Sequence, residues 1–160
     1  MPDQVDMRIL AALQDNARIT NAELADKIAL SPSACHRRHE HLELAGYIDR
    51  YATILNQEKL GLKVNVFVSV QLRAQDKKTQ DQFEQEIAKH PEVMECYVMT
   101  GDKDYLLRVV VTDLDDYERY LKDRLTKVST IQDIRSSFAL RRAAYRTALS
   151  AETLKKLARS

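Results

Sequence analysis

Apolar residues at Ile9, Leu10 and Leu13, continuing from Val5 and Met7, recur at helical spacing and predict a first amphipathic helix. Asp3 is placed to cap its N-terminus, and Asp15-Asn16 marks its exit. A second helix is predicted after Thr20. Thr20 and Glu23 stand at capping-box spacing, and Leu24, Ala25 and Ile28 form the apolar stripe. Ser31-Pro32 opens a third helix, with Ser31 as cap and Pro32 in the first turn, where its missing N–H costs nothing. That helix is predicted to run over residues 32–45, with Gly46 past its last turn as a C-cap. The pattern then changes. Tyr47-Ile48 and residues 51–55 read as two short strands joined by Asp49-Arg50, and residues 56–60 as a helical turn ended by Gly61.

A boundary is expected at residues 56–62. Beyond it, residues 64–72 alternate with strong β propensity. Residues 77–90 predict a helix that buries Phe83 and Ile87 and stops at Pro91. Residues 93–99 and 105–111 read as strands around a turn at 100–103. A helix with Leu114, Tyr117, Leu121 and Leu125 on one side follows, and residues 128–138 contain a last strand. The order β-α-β-β-α-β is the ferredoxin-like arrangement, with both helices on one face of an antiparallel sheet. Phe67 and Leu106 alternate with Val66, Val68, Val70, Leu107 and Val109, so both sheet faces carry apolar residues. A second subunit is expected to cover the face that the helices leave open. The fold class is therefore α+β, with a helix-turn-helix head and short β hairpin at residues 1–60. A ferredoxin-like domain for dimerisation and effector binding follows at 61–140, and a basic tail at 141–160. In the tail, residues 151–158 are expected to form a short helix with Leu154 and Leu157 on one side. That tail is free to touch DNA, to pair with a neighbouring subunit, or to remain solvated.

Two short helices separated by a tight turn, both after a longer helix, make the tri-helical helix-turn-helix plan, whose last helix enters the major groove. The leading turns of that helix carry Ser31, Ser33, Ala34, His36, Arg37 and Arg38, hydroxyl and cationic groups suited to base edges and phosphates. A small helical bundle with a basic patch is the competing reading. Charge complicates the picture. Residues 1–60 hold seven Lys/Arg and nine Asp/Glu, residues 61–140 twelve and fourteen, and residues 141–160 six and one. A head with negative formal charge is poorly matched to phosphates, so one copy should bind DNA weakly and a dimer should double any local basic face.

The chain has no run of eighteen apolar residues, and its first ten, MPDQVDMRIL, lack the basic and apolar blocks of a secretory signal. A cytoplasmic protein without membrane association is expected. Cys35 and Cys96 lie far apart without metal-ligand spacing, so no metal and no cofactor are expected. No nucleophile–base set and no glycine-rich phosphate loop is present, so no catalytic residue is assigned and the chain is not read as an enzyme. The most distinctive loop is Gly101-Asp102-Lys103-Asp104. Asp102 and Asp104 are able to accept hydrogen bonds from a ligand amine, although a solvated hairpin turn would have the same composition.

With Asp6-Met-Arg-Ile-Leu10, Ala17-Arg18-Ile19-Thr20-Asn21-Ala22-Glu23-Leu24-Ala25, Leu30-Ser31-Pro32-Ser33-Ala34-Cys35, Arg38, Leu42, Gly46-Tyr47-Ile48 and Gly101-Asp102-Lys103-Asp104-Tyr105-Leu106-Leu107 in this order, the sequence closely resembles the Lrp/AsnC family of feast/famine regulators over residues 3–140. The resemblance implies a winged or β-flanked helix-turn-helix head on a ferredoxin-like domain of the RAM type. It implies homodimers that assemble into higher even-numbered oligomers such as octamers, and binding to double-stranded DNA. It also implies a small-molecule effector, commonly an amino acid, held near residues 99–104. By position, Ser31, Pro32, Ser33 and Arg38 match residues that start the recognition helix or face DNA. Met99, Thr100, Gly101, Asp102 and Asp104 fall on the effector loop. Three departures stand out. His39 replaces a small aliphatic residue and is expected to face the head's core. Glu40 and His41 replace common basic residues. Lys103 replaces Phe, Tyr or another residue, which leaves the effector class open. The function so implied is sequence-specific transcriptional regulation modulated by a small molecule. Low-specificity DNA packaging, or small-molecule sensing without DNA binding, are the alternatives.

Overall fold

A computed structural model describes residues 1–157 and resolves two compact units. One comprises Met1–Ile54 together with the segment from Ala144 on, and the other Leu55–Ala143. The chain therefore leaves the head, builds the second unit, and returns. The boundary falls at Ile54/Leu55, and residues 144–157 are part of the head's unit rather than a separate tail.

The head's three helices are α1 (Gln4–Asp15), α2 (Asn21–Ile28) and α3 (Pro32–Leu44). Their ends are set by local chemistry. The Asp3 carboxylate accepts from the backbone N–H of Val5 and Asp6, while Asp6 reaches back to the Asp3 N–H. Thr20 and Glu23 form the same reciprocal box, and Ser31 Oγ accepts from the Ala34 N–H. Each such cap contributes about 1 kcal/mol. Gly46, at φ +74°, ends α3 and lets the Tyr47 N–H return to the Leu42 carbonyl at 3.0 Å. Ile9, Leu13, Leu24, Ala25, Ile28, Cys35 and Leu42 close the core between the helices.

The expected hairpin is absent: residues 47–55 contain no strand. An isolated strand pair is marginal in water, and here the segment is tied down by side chains instead. Ile48 packs on the helical core, and the Tyr51 hydroxyl donates to Glu43 Oε1 at 2.8 Å. A further helix forms at Ala151–Leu157, as the spacing of Leu154 predicts, while Ala158 lies outside the described residues. Leu154 is only 5% exposed, and Leu157 is not buried. Gln14 of α1 exchanges two hydrogen bonds with the backbone of Leu149, at 2.8 and 3.3 Å. The returning segment also changes the head's charge. Counted with it, the unit holds ten Lys/Arg and nine Asp/Glu.

The second unit is a four-stranded antiparallel sheet in the order β2-β3-β1-β4. Its strands are β1 (Val64–Leu72), β2 (Val93–Val98), β3 (Tyr105–Val111) and β4 (Ile131–Phe138). This is the ferredoxin-like topology that the element order predicts. Helices α4 (Lys77–Ile87) and α5 (Leu114–Asp123) cover one face. Phe83 of α4 and Tyr117 of α5 pack there in one core with Val66, Val68, Val70, Tyr105, Leu107 and Val109 of the sheet. The Phe83 and Tyr105 ring centroids are 4.5 Å apart. The opposite face carries Phe67, Leu106 and Tyr97 among polar residues, and Phe67 is 38% exposed. Arg108 crosses this face, donating from Nε to Glu95 at 2.7 Å and from a terminal nitrogen to Asn65 at 3.1 Å. Among the described residues no helix is long and apolar enough to cross a membrane.

His90 follows α4 and is buried against Tyr120, with which its Nδ1 shares a hydrogen bond of 3.2 Å. Burial first, and the Arg124 charge second, push the imidazole below its ordinary 6.5, and Lys89 adds to this while Glu92 and Glu86 oppose it. A base whose pKa is depressed by folding favours the folded state while it is neutral. Its contribution is complete above pH 6.5 and is lost as the pH falls below that value. The melting temperature of the wild type is thus expected to fall more steeply between pH 7.5 and 5 than that of His90→Phe. Parallel profiles would show that His90 titrates as it does in the unfolded chain.

Candidate functional site

The turn between α2 and α3 is held in two ways. Ala29 adopts the left-handed conformation at φ +58°, and the Asn21 side-chain amide donates to the Pro32 carbonyl at 2.9 Å. These contacts aim the start of α3 away from the core. Of the residues expected to face DNA, Ser33, His36 and Arg37 are exposed, and among the described residues no hydrogen bond or ion pair engages Arg37. Ser31 spends its hydroxyl on capping and lies 3.3 Å from Ser33 Oγ. Ala34 is half-buried beside the fully buried Cys35.

Arg38 is placed differently. Its guanidinium donates to Asp3 at 2.8 Å and to Asp6 at 2.7 Å, across the head from α3 to the first turn of α1. The Asp6 backbone N–H, and then Arg38, hold the Asp3 carboxylate below its ordinary range, and the two acids raise the guanidinium in turn. The Arg38 charge is thereby neutralised within the head. The partners lie 32 and 35 residues back along the chain, a separation that helical spacing cannot reveal.

His39 does not enter the head's core. It is half-buried at the rim, where its Nε2 shares a 2.7 Å hydrogen bond with the Tyr51 hydroxyl and stands 3.5 Å from Glu43. Burial and the Glu43 carboxylate together push Tyr51 up to about 12. The position is thus used to fasten residues 48–54 onto α3. Glu40 and His41 are both exposed.

In the second unit, residues 99–104 link β2 to β3. The Met99 N–H donates to the Asp104 carbonyl at 2.8 Å, and Gly101 turns the loop at φ +113°, a conformation that disfavours side chains. Thr100, Gly101 and Asp102 are exposed. The Asp104 carboxylate, read from sequence as an acceptor for a ligand amine, already accepts from the Leu72 N–H at 2.7 Å and from Gln75 Nε2 at 2.9 Å. Its backbone N–H donates to the Val70 carbonyl. Asp104 therefore anchors the loop to β1. Lys103 pairs with Asp133 of β4 and donates to Gln71 Oε1 at 3.2 Å, so Lys103 first holds Asp133 below the ordinary carboxylate range. The loop is braced on both sides, and Thr100, Gly101 and Asp102 form its open edge.

Two family profiles match. One, described as winged helix-turn-helix DNA-binding, covers residues 2–49, and the other, described as Lrp/AsnC ligand binding domain, covers residues 65–149. The Bkd operon transcriptional regulator of Pseudomonas aeruginosa is 42% identical over 146 residues, 91% of this chain and 95% of that one. Among solved structures, the transcriptional regulator NMB0573/L-Met complex from Neisseria meningitidis aligns with TM-score 0.90 at 38% identity, covering 96% of this chain and 99% of its own. An AsnC family transcriptional regulator from Agrobacterium tumefaciens aligns with TM-score 0.89 at 37% identity, covering 95% and 99%.

Proposed function

The chain belongs to the Lrp/AsnC family of DNA-binding transcriptional regulators, and from that premise we propose that it reads a specific, symmetric DNA site as a homodimer or higher even-numbered oligomer under the control of an amino acid. The observation that carries the DNA reading is the exposed leading face of α3. Ser33, His36 and Arg37 stand there on a helix whose start is fixed by Ser31 and Asn21. Arg37 supplies the uncommitted cation of this face, because Arg38 is committed to Asp3 and Asp6. One uncommitted arginine on this face, in a unit whose cations and acids nearly cancel, is a weak footprint on a polyanion, and that favours pairing of heads. The open sheet face, with Phe67, Leu106 and Tyr97, is the surface assigned to the pairing.

The effector reading rests on the braced loop at residues 99–104, which presents Thr100, Gly101 and Asp102 from a rigid base. The relative from Neisseria meningitidis, with the same fold, is described in complex with L-Met. An amino acid at this loop would shift assembly or DNA affinity.

The test is binding to DNA selected from a random pool. Arg37→Ala is expected to weaken binding to the selected site by about 1–3 kcal/mol, roughly 5- to 150-fold. Repeating the titration with each common amino acid should move the midpoint for at least one. Equal affinity of the wild type for selected and unrelated DNA would favour packaging, and negligible affinity for both would favour a sensor that does not bind DNA.

A further inference from the structure

We propose that Glu40 is a specificity-determining residue that accepts a hydrogen bond from the N4 amino group of a cytosine in the major groove. The inference rests on the sequence-specific DNA reading above. At about 100° per residue, Glu40 stands about 140–160° around α3 from the core-facing Cys35 and Leu42. Ser33, Arg37, Glu40 and Leu44 fall within an arc of about 60° on the opposite side, and Leu44 is 82% exposed. Glu40 lies about 10 Å along the axis beyond Ser33. Any approach that lays the Ser33 and Arg37 stripe in a groove carries the Glu40 carboxylate in with it.

Among the described residues no hydrogen bond or ion pair engages Glu40. The neighbouring acids are treated otherwise: Glu43 is bonded to Tyr51, and Asp3 and Asp6 to Arg38. A bare carboxylate facing a polyanion is unfavourable unless a donor meets it. An ionised glutamate only accepts hydrogen bonds. In the major groove only the amino groups of cytosine and adenine donate. The adenine amino group is flanked by acceptors on both sides, its own N7 and the O4 of its thymine. The cytosine amino group has a nonpolar ring edge on one side and only the guanine O6 on the other. A carboxylate is therefore repelled less at cytosine. Glutamine, with one donor and one acceptor, suits adenine instead.

The experiment is selection from a random pool, followed by titration of all four base pairs at each selected position, with wild type, Glu40→Ala and Glu40→Gln. The wild type is expected to enrich a C·G pair at one position of each half-site. Glu40→Ala should lose discrimination at that position by about tenfold or more while keeping the other positions. Glu40→Gln should shift the same position toward A·T. If Glu40→Ala instead tightens binding to every sequence alike, with unchanged preferences, the residue is only a repulsive charge and the assignment is wrong. A wild type that enriches no sequence overturns the sequence-specific reading itself, and the Glu40 assignment with it.

Discussion

A protein carrying Phe67→Asp together with Leu106→Asp is expected to be monomeric and to lose about 10²- to 10⁴-fold in affinity for its DNA site. The two side chains lie on the sheet face opposite α4 and α5, and Ser69 of β1 is the register partner of Leu106 in β3. With Tyr97 they form the apolar part of a face that also carries Arg108, Glu95, Gln71 and Arg135. Two carboxylates there would be solvated in a monomer and buried without partners in a dimer, a cost of several kcal/mol. Folding should be little affected, since the core lies on the other face. Once heads are unpaired, each binds alone, and the gain from effective concentration is lost. Sedimentation and DNA titration on the same sample check both halves of the expectation. A dimer that persists with full affinity would place the interface elsewhere.

Phe83→Ala is expected to destabilise the second unit by about 3–5 kcal/mol. Phe83 is fully buried, and its ring contacts Tyr105, whose hydroxyl donates to Glu84 at 2.7 Å. Truncation opens a cavity between α4 and the centre of the sheet, where β1 and β3 cannot collapse into it without breaking register. Against a domain stability of about 5–15 kcal/mol, this is a large fraction. Denaturant unfolding should show a reduced midpoint, and DNA affinity should fall at temperatures where the head's helical signal persists. A loss below 1 kcal/mol would mean that the sheet and helix repack freely.

The parts of the fold legible in the sequence are those whose causes are local. Asp3, Thr20, Ser31 and Gly46 begin or end their helices through hydrogen bonds between residues two to five positions apart, and the strand alternation of β1 and β3 maps onto buried and open faces. What escaped is held by distant partners. Arg38 is legible as a cation, but its partners Asp3 and Asp6 are brought to it only by helix packing. Asp104 is legible as an acceptor, but the Leu72 N–H that it meets is presented by β1. His39 looks like a core residue until Tyr51 meets it at the rim, and the same tyrosine suggests a strand that its hydrogen bonds replace. The return of the chain to α1 through Leu149 and Leu154 spans some 135 residues and leaves no periodic trace. In each case the residue type was informative about chemistry and silent about the partner.

On the function proposed above, this family member reads DNA through paired α3 helices, each too weakly charged to hold DNA alone. The most direct measurement is the affinity and stoichiometry of the wild type on duplexes carrying one or two copies of the selected half-site, spaced by one helical turn of about 34–36 Å. Two chains bound to the double site, with affinity at least 100-fold above that for the single half-site, is the predicted result. One chain per duplex, with equal affinity for single and double sites, would contradict it.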